Sequence, residues 1–167
     1  MKNRMTVWVA AVMAVILGTV SVGCNAKEAL KAVVVRTYDT TVQIETYVNA
    51  VDVSEIIERI KSIEAPLKIT ANALRFISDR VKDQEIKDAM KNVAATIDNI
   101  VMLVNSADAS QAEFVKEQVN ATLNRAQEVL VQIGSYLGLD LETRVQKSIV
   151  EKNEIFLMTE ELEQMIK

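Results

Sequence analysis

The sequence predicts an all-α protein: an antiparallel, up-and-down four-helix bundle with an extended distal helical hairpin, preceded by an N-terminal signal or anchor helix. Three observations carry this. Breakers are rare, with one proline and four glycines in 167 residues, and two of those glycines fall within the first 23. Apolar residues recur at steps of three and four, the period of one helix face. Aliphatic side chains dominate and aromatics make up only 4% of the chain.

From Ala26 onward, Leu30, Val34, Thr37, Thr41, Ile44, Val48 and Val51 mark the inner face of a first helix. The stretch Val33-Val34-Val35 has strand propensity, but its surroundings are helical. Asp52 followed three residues later by Glu55 fits a capping arrangement and predicts a kink or restart. Ile56, Ile57, Ile60 and Ile63 then form a new stripe, which Pro66 closes because the residue before a proline avoids the helical region. Proline also suits the first turn of a following helix. That helix carries Leu67, Ile69, Leu74, Ile77 and Val81, weakens at Asp83-Gln84-Glu85, and continues through Ile86, Met90, Val93, Ile97, Val101 and Val104.

Residues 105–109 read as a loop, and Ser110 with Glu113 as a capping box opening the third helix. Its face is Val115, Val119, Thr122, Ala126, Val129, Ile133 and Leu137, and Gly138 is a C-terminal glycine. Asp140 is placed to cap a last helix with Leu141, Val145, Ile149, Ile155, Phe156, Leu162 and Met165 inward. Glu160, Glu161 and Glu163 near its end oppose the helix dipole, so that end is expected to fray. The segments flanking Pro66 are about 39 residues each, roughly 58 Å of helix, against about 28 residues for the last two helices. The first pair would therefore overshoot the second, leaving residues 53–82 as a protruding distal hairpin.

The first 24 residues set the compartment. Lys2 and Arg4 precede an uncharged run from Met5 to Gly23, which ends Ser21-Val22-Gly23-Cys24. This order of charge, apolar core and small residues marks a secretory signal. Small residues before a lone cysteine resemble the lipobox of bacterial lipoproteins, although Ser21 stands where that pattern usually has Leu. The resemblance covers only residues 1–24. It implies removal of residues 1–23, lipidation of Cys24 and a membrane partner reached through the acyl chains. It also implies placement at the cell envelope, and the length of the chain from Cys24 suits a single mature domain, 24–167. Asn25, rather than Asp, in the next position leans toward the outer membrane of a Gram-negative cell. Two other outcomes fit the same residues. The uncharged run is long enough to span a bilayer uncleaved, and an ordinary signal peptidase could cut after Ala26.

Composition excludes several chemistries. There is no histidine and only one cysteine, which rules out intrachain disulfides, Cys/His zinc sites and histidine acid–base catalysis. The di-iron bundle pattern also requires histidine. No glycine-rich phosphate loop occurs. The charge of −4 becomes −6 once Lys2 and Arg4 are removed, the opposite of a nucleic-acid footprint. The acidic run at 160–163 reads as a solvated face, Tyr38, Tyr47 and Tyr136 as bridges between core and surface, and the methionines as gap-fillers. No catalytic residue, metal site or cofactor is assigned.

Charge sorts at the expected hairpin. Residues 53–82 hold six basic and four acidic side chains, net +2, against −8 for the rest of the mature chain. Together with Ile56, Ile57, Ile69 and Phe76, the cations Arg59 and Arg75 make this tip a candidate protein-docking site, since spare apolar surface marks contact sites. The alternative is that these side chains pack on one another or on the bundle. The expected function is a non-enzymatic interaction or structural module tethered to a membrane. A bundle holding a small apolar molecule, or one that self-associates, also fits the pattern, and the oligomeric state stays open.

Overall fold

Helical periodicity without breakers yields helices, and the few polar interruptions decide where they stop. The computed structural model describes residues 25–141, Thr143 and 154–167. These form six α-helices with no strand among the described residues: α1 Asn25–Asn49, α2 Ile56–Ser62, α3 Glu64–Ser78, α4 Gln84–Ser106, α5 Ala112–Leu137 and α6 Glu154–Ile166. The signal region and Cys24 lie outside the described residues, as do Val145 and Ile149 and the side chains of Ile155 and Phe156.

The protein is all-α, as its period predicts. Helix α1 packs against α3, α5 and α6, while α4 packs against α3 and α5, so that α1, α3, α4 and α5 close a ring. Helix α2 lies against α4 and α5, and α6 rests on α1 and α3. α1 and α5 run antiparallel: Asn49 meets Asn120, and Glu45 accepts a hydrogen bond from Gln127 at 2.8 Å. α3 and α4 are antiparallel too, with Arg75 joined to Asp98 and Glu64 beside Asn105.

The core follows the expected stripes. Ile44, Ile56, Ile60, Ile63, Leu67, Leu74, Ile77, Met90, Ile97, Leu123 and Leu130 are all but inaccessible. Burying side chains of this kind contributes about 1.5–3 kcal/mol each. Buried hydroxyls stay satisfied within their own helices. Thr37 donates to the Val33 carbonyl at 2.7 Å, Thr70 to that of Pro66 at 2.9 Å and Thr122 to that of Gln118 at 2.8 Å.

The expected distal hairpin is corrected by the structure. The chain does not reverse at Pro66, and residues 53–82 do not protrude. Pro66 is the third residue of α3, where a helix has no need of its missing N–H. It cannot reach the Ser62 carbonyl, so the chain only bends, at Ile63, with φ −110° and ψ 20°. Ile63 donates to Ile60 and Leu67 donates to Ile63, both at 3.0 Å, which carries the path through the bend. The reversals occur instead at 50–55 and 79–83. The second of these separates two helices that the sequence reading had joined into one. α3 therefore runs back along α1 and α4 rather than beyond them.

Helix ends show which polar residues act as stops. Asp83 accepts from the Ile86 N–H at 3.1 Å and caps α4. Asp52 occupies a cap position before the short 3₁₀ turn Val53–Glu55, without a side-chain hydrogen bond. The capping box ahead of α5 is formed by Asp108 and Gln111, two residues before the expected Ser110 and Glu113. Asp108 accepts from the Ser110 N–H at 2.8 Å, and Gln111 accepts from the Asp108 N–H at 3.2 Å. α5 ends as expected at Gly138, whose φ of 74° a side chain would strain. The Leu139 N–H closes back on the Gly134 carbonyl at 2.8 Å. Gly134 also lets Leu141 lie against the helix, since a Cβ there would stand 2.9 Å from Leu141 Cδ1. Asp140 accepts from the Thr143 N–H at 3.2 Å, in the manner of a cap.

Two predictions arise from these contacts. Asn49 and Asn120 exchange amide hydrogen bonds between α1 and α5, at 2.8 Å from Asn120 and 3.4 Å from Asn49. Asn120→Ala should cost about 1 kcal/mol in urea unfolding, and Asn49→Ala should add little once Asn120 is gone. The second concerns acid. Hydrogen bonds from the Ser110 hydroxyl, then from the Ser110 and Gln111 amides, hold the Asp108 carboxyl below its ordinary pKa. A lowered folded-state pKa gives stability that is present above the unfolded value and lost as pH falls through the folded one. Asp108→Asn should therefore flatten the acid limb of the unfolding midpoint against pH, while leaving its neutral-to-alkaline slope unchanged.

Candidate interaction surfaces

The residues proposed from sequence as a docking tip are distributed differently in space. Ile56 and Ile57 are buried in the core, the latter 7% exposed. Ile69 and Phe76 are half-buried and pack against that core. Here the apolar surplus of residues 53–82 is core material, because α2 lies on α4 and α5 while α3 faces α1, α4 and α6 at once. A narrow two-helix hairpin would have needed fewer apolar residues.

The cations of this segment hold local partners. The Arg59 guanidinium stacks on the Tyr47 ring at 4.0 Å from its centroid, and the Tyr47 hydroxyl lies 3.3 Å from Ser62 Oγ. Arg75 donates to Asn72 Oδ1 at 3.3 Å and forms an ion pair with Asp98. Arg80 stacks on Phe76 at 3.4 Å and donates to its carbonyl. Lys68 bonds Glu64, first through the hydrogen bond and then through its charge, and this holds the Glu64 carboxyl below its usual value. Arg59 with Tyr47, and Arg75 with Asp98, thus tie separate helices together. Each pair lies too far apart in sequence for a local spacing rule to reveal it.

Two open grooves mark the surface. One, of about 790 Å³, runs between α1 and α6 and is closed at one side by Leu139. Its apolar lining is Val35, Leu139 and Met165. Its charges are paired, Lys31 with Glu28 at 2.9 Å and Arg36 with Glu161 at 2.5 Å. The other, of about 530 Å³, lies between α4 and α5 over Ala89, Val93 and Ala121, with Glu85, Asp88 and Arg125 on its walls. Sequence periodicity missed both, since each is formed by residues of two helices whose juxtaposition no single-helix period encodes. Among the described residues, large apolar side chains left exposed include Val53, Met102 and, at opposite ends of α5, Phe114 and Tyr136.

Among the described residues, no group of three or more Asp, Glu, Cys or His is placed to hold a metal ion. The three carboxylates with a resolved pKa shift are exposed, and each is bonded to a neighbour in sequence: Glu64 to Lys68, Asp108 to Ser110 and Asp140 to Thr143. No helix among the described residues is long and apolar enough to cross a membrane. Comparison with family models, curated proteins and solved structures finds no match to this chain.

Burial of the 53–82 segment has a measurable consequence. Ile57→Ala should destabilise by about 2–5 kcal/mol, the cost of a core truncation. Arg75→Ala should cost no more than about 1 kcal/mol, because its ion pair is partly solvated. Urea unfolding of the two variants beside the parent distinguishes a core segment from a free-standing tip, for which both changes would be nearly neutral.

Proposed function

We propose that the protein is a membrane-tethered, non-enzymatic helical module of the cell envelope, held through lipid on Cys24 and acting as an interaction or structural element there. The observation that carries this reading is the N-terminal order of charge, apolar run, small residues and Cys24, followed by a chain that is helical from the first described residue, Asn25. Each buried CH₂ of an acyl chain contributes about 0.8 kcal/mol of membrane affinity, so one chain holds marginally and several hold durably. The polar groups described above serve caps, ion pairs and helix contacts, which favours a structural role over a catalytic one.

With Ile56 and Ile57 occupied in the core, the part of 53–82 left for a protein partner is charged. Its exposed charges are mixed, Lys68, Arg80 and Lys82 together with Glu55, Glu58 and Asp79. The mature domain contributes no basic footprint for nucleic acid. The tether is tested by the intact mass of protein purified from the membrane fraction, beside Cys24→Ser. The expected result is loss of residues 1–23 with added acyl mass, absent in the variant. A full-length mass without acyl chains would replace the lipid anchor with an uncleaved span.

A further inference from the structure

The chain is helical from the first described residue, Asn25, and α1 runs unbroken to Asn49. Its first turn is exposed, with Glu28 at the edge of the groove between α1 and α6. Ala26, Lys27, Glu28 and Ala29 are exposed, Leu30 is the first half-buried residue, and Val33 and Val34 are the first buried ones. We propose that this start of α1 is a rigid stalk that holds the helical body off a lipid surface and points its 50–55 and 107–111 end away from the membrane. The proposal rests on the membrane tethering above, though not on the acyl chains alone. Lipid on Cys24 and an uncleaved span over 5–23 both place the membrane boundary beside Asn25.

The dimensions match a headgroup layer. At 1.5 Å per residue, Leu30 lies about 7.5 Å and Val33 about 12 Å along the helix from Asn25. The polar layer of one leaflet is roughly 5–8 Å thick. Four exposed residues therefore cross the layer, and packing begins just outside it. The sequence of the stalk is stiff, since Ala, Lys and Glu are good helix formers and no Gly, Pro or Ser interrupts it. Glu28 pairs with Lys31 at 2.9 Å, joining the stalk to the first turn of the body. A glycine–serine tether of six residues would instead reach about 13 Å in any direction and leave the body free to tumble.

The far end is fixed by α1 itself, about 36 Å long. At its C-terminus Asn49 bonds Asn120, and Lys116 donates to the Val51 carbonyl at 3.3 Å, so the start of α5 lies remote from the tether. Val53 and Phe114, two of the exposed apolar side chains, belong to that end.

The test uses the full protein from the membrane fraction, reconstituted in vesicles of phosphatidylethanolamine and phosphatidylglycerol that carry an acceptor on the headgroup. A donor amino acid is placed at residue 109 or, separately, at residue 27, leaving Cys24 untouched. Energy transfer should report residue 27 at the lipid surface and residue 109 at least about 30 Å away, with a narrow distribution. Replacing both Ala26 and Ala29 by Gly should shorten and broaden the second distance, while circular dichroism and thermal unfolding stay as in the parent. Equal transfer from both positions, or a glycine variant indistinguishable from the parent, in protein that still sediments with vesicles, would overturn the stalk and spare the tether. Protein that does not sediment with vesicles would overturn both.

Discussion

The burial of α1 against three other helices is the constraint on which the remaining packing depends. Its buried positions, 33, 34, 37, 38, 40, 41, 43, 44 and 48, spread over roughly 220° at 100° per residue, far more than the stripe of a surface helix. A helix surrounded to that extent must be apolar or must satisfy its own polar groups. α1 does both. Ile44 and Val48 supply the apolar contact, while the hydroxyls of Thr37, Thr40 and Thr41 donate to carbonyls three or four residues back at 2.7–2.8 Å. Threonine used in this way removes the desolvation cost of a buried hydroxyl without requiring a partner on another helix. It leaves α3, α5 and α6 free to pack on α1 as smooth surfaces.

Once α1 is central, the remaining connections are limited. α5 is held in register by amide and carboxylate contacts along one edge, from Asn49–Asn120 to Glu45–Gln127. Such bonds are worth little individually when solvated. They fix which residues face each other, however, and a small shift would leave the Lys116 ammonium away from the Val51 carbonyl. Gly134 permits the close passage of Leu141 at the other end of α5. Leu162 of α6 is fully buried, and Arg36 of α1 pairs with Glu161, so the last described helix is joined by both apolar contact and charge.

The helical class and most core positions were legible in the sequence because an apolar period of 3.6 is a direct record of one buried face. All six stripe residues named between Ile86 and Val104 are buried, as are Ile56, Ile57, Ile60 and Ile63. Stops were legible where residue type alone sets the backbone, as at Gly138, whose lack of a Cβ permits the φ of 74°. Two kinds of feature were not legible. Val33, Tyr38 and Thr40 lie off the expected stripe and are buried because α1 has neighbours on several sides, which no single-helix period encodes. Pro66 does sit in the first turn of the next helix, as expected, but the reversal placed there was misread. A proline at a helix start is compatible with a bend as well as with a turn back. The choice depends on whether the preceding residues turn back, and Ile63 only bends. The expected overshoot rested on counting two long helices around that proline. Once the reversals move to 50–55 and 79–83, the length mismatch disappears: α1, α4 and α5 contain 25, 23 and 26 residues.

That near-equality bears on function. Three helices of matched length, with α3 and α2 together filling the fourth side, leave no projecting tip for a partner to grasp. The asymmetry of the molecule then lies along α1, between an exposed start at Ala26–Ala29 and an end that feeds the 50–55 turn. The polar residues serve caps, threonine back-bonds and i,i+3 or i,i+4 pairs. A smaller set, including Asn49–Asn120, Glu45–Gln127, Arg75–Asp98 and Arg36–Glu161, joins separate helices. This is the economy of a body whose task is to keep a shape. On the proposed tether at Cys24, a stiff first turn of α1 would transmit the orientation of the anchor to the far end of the body.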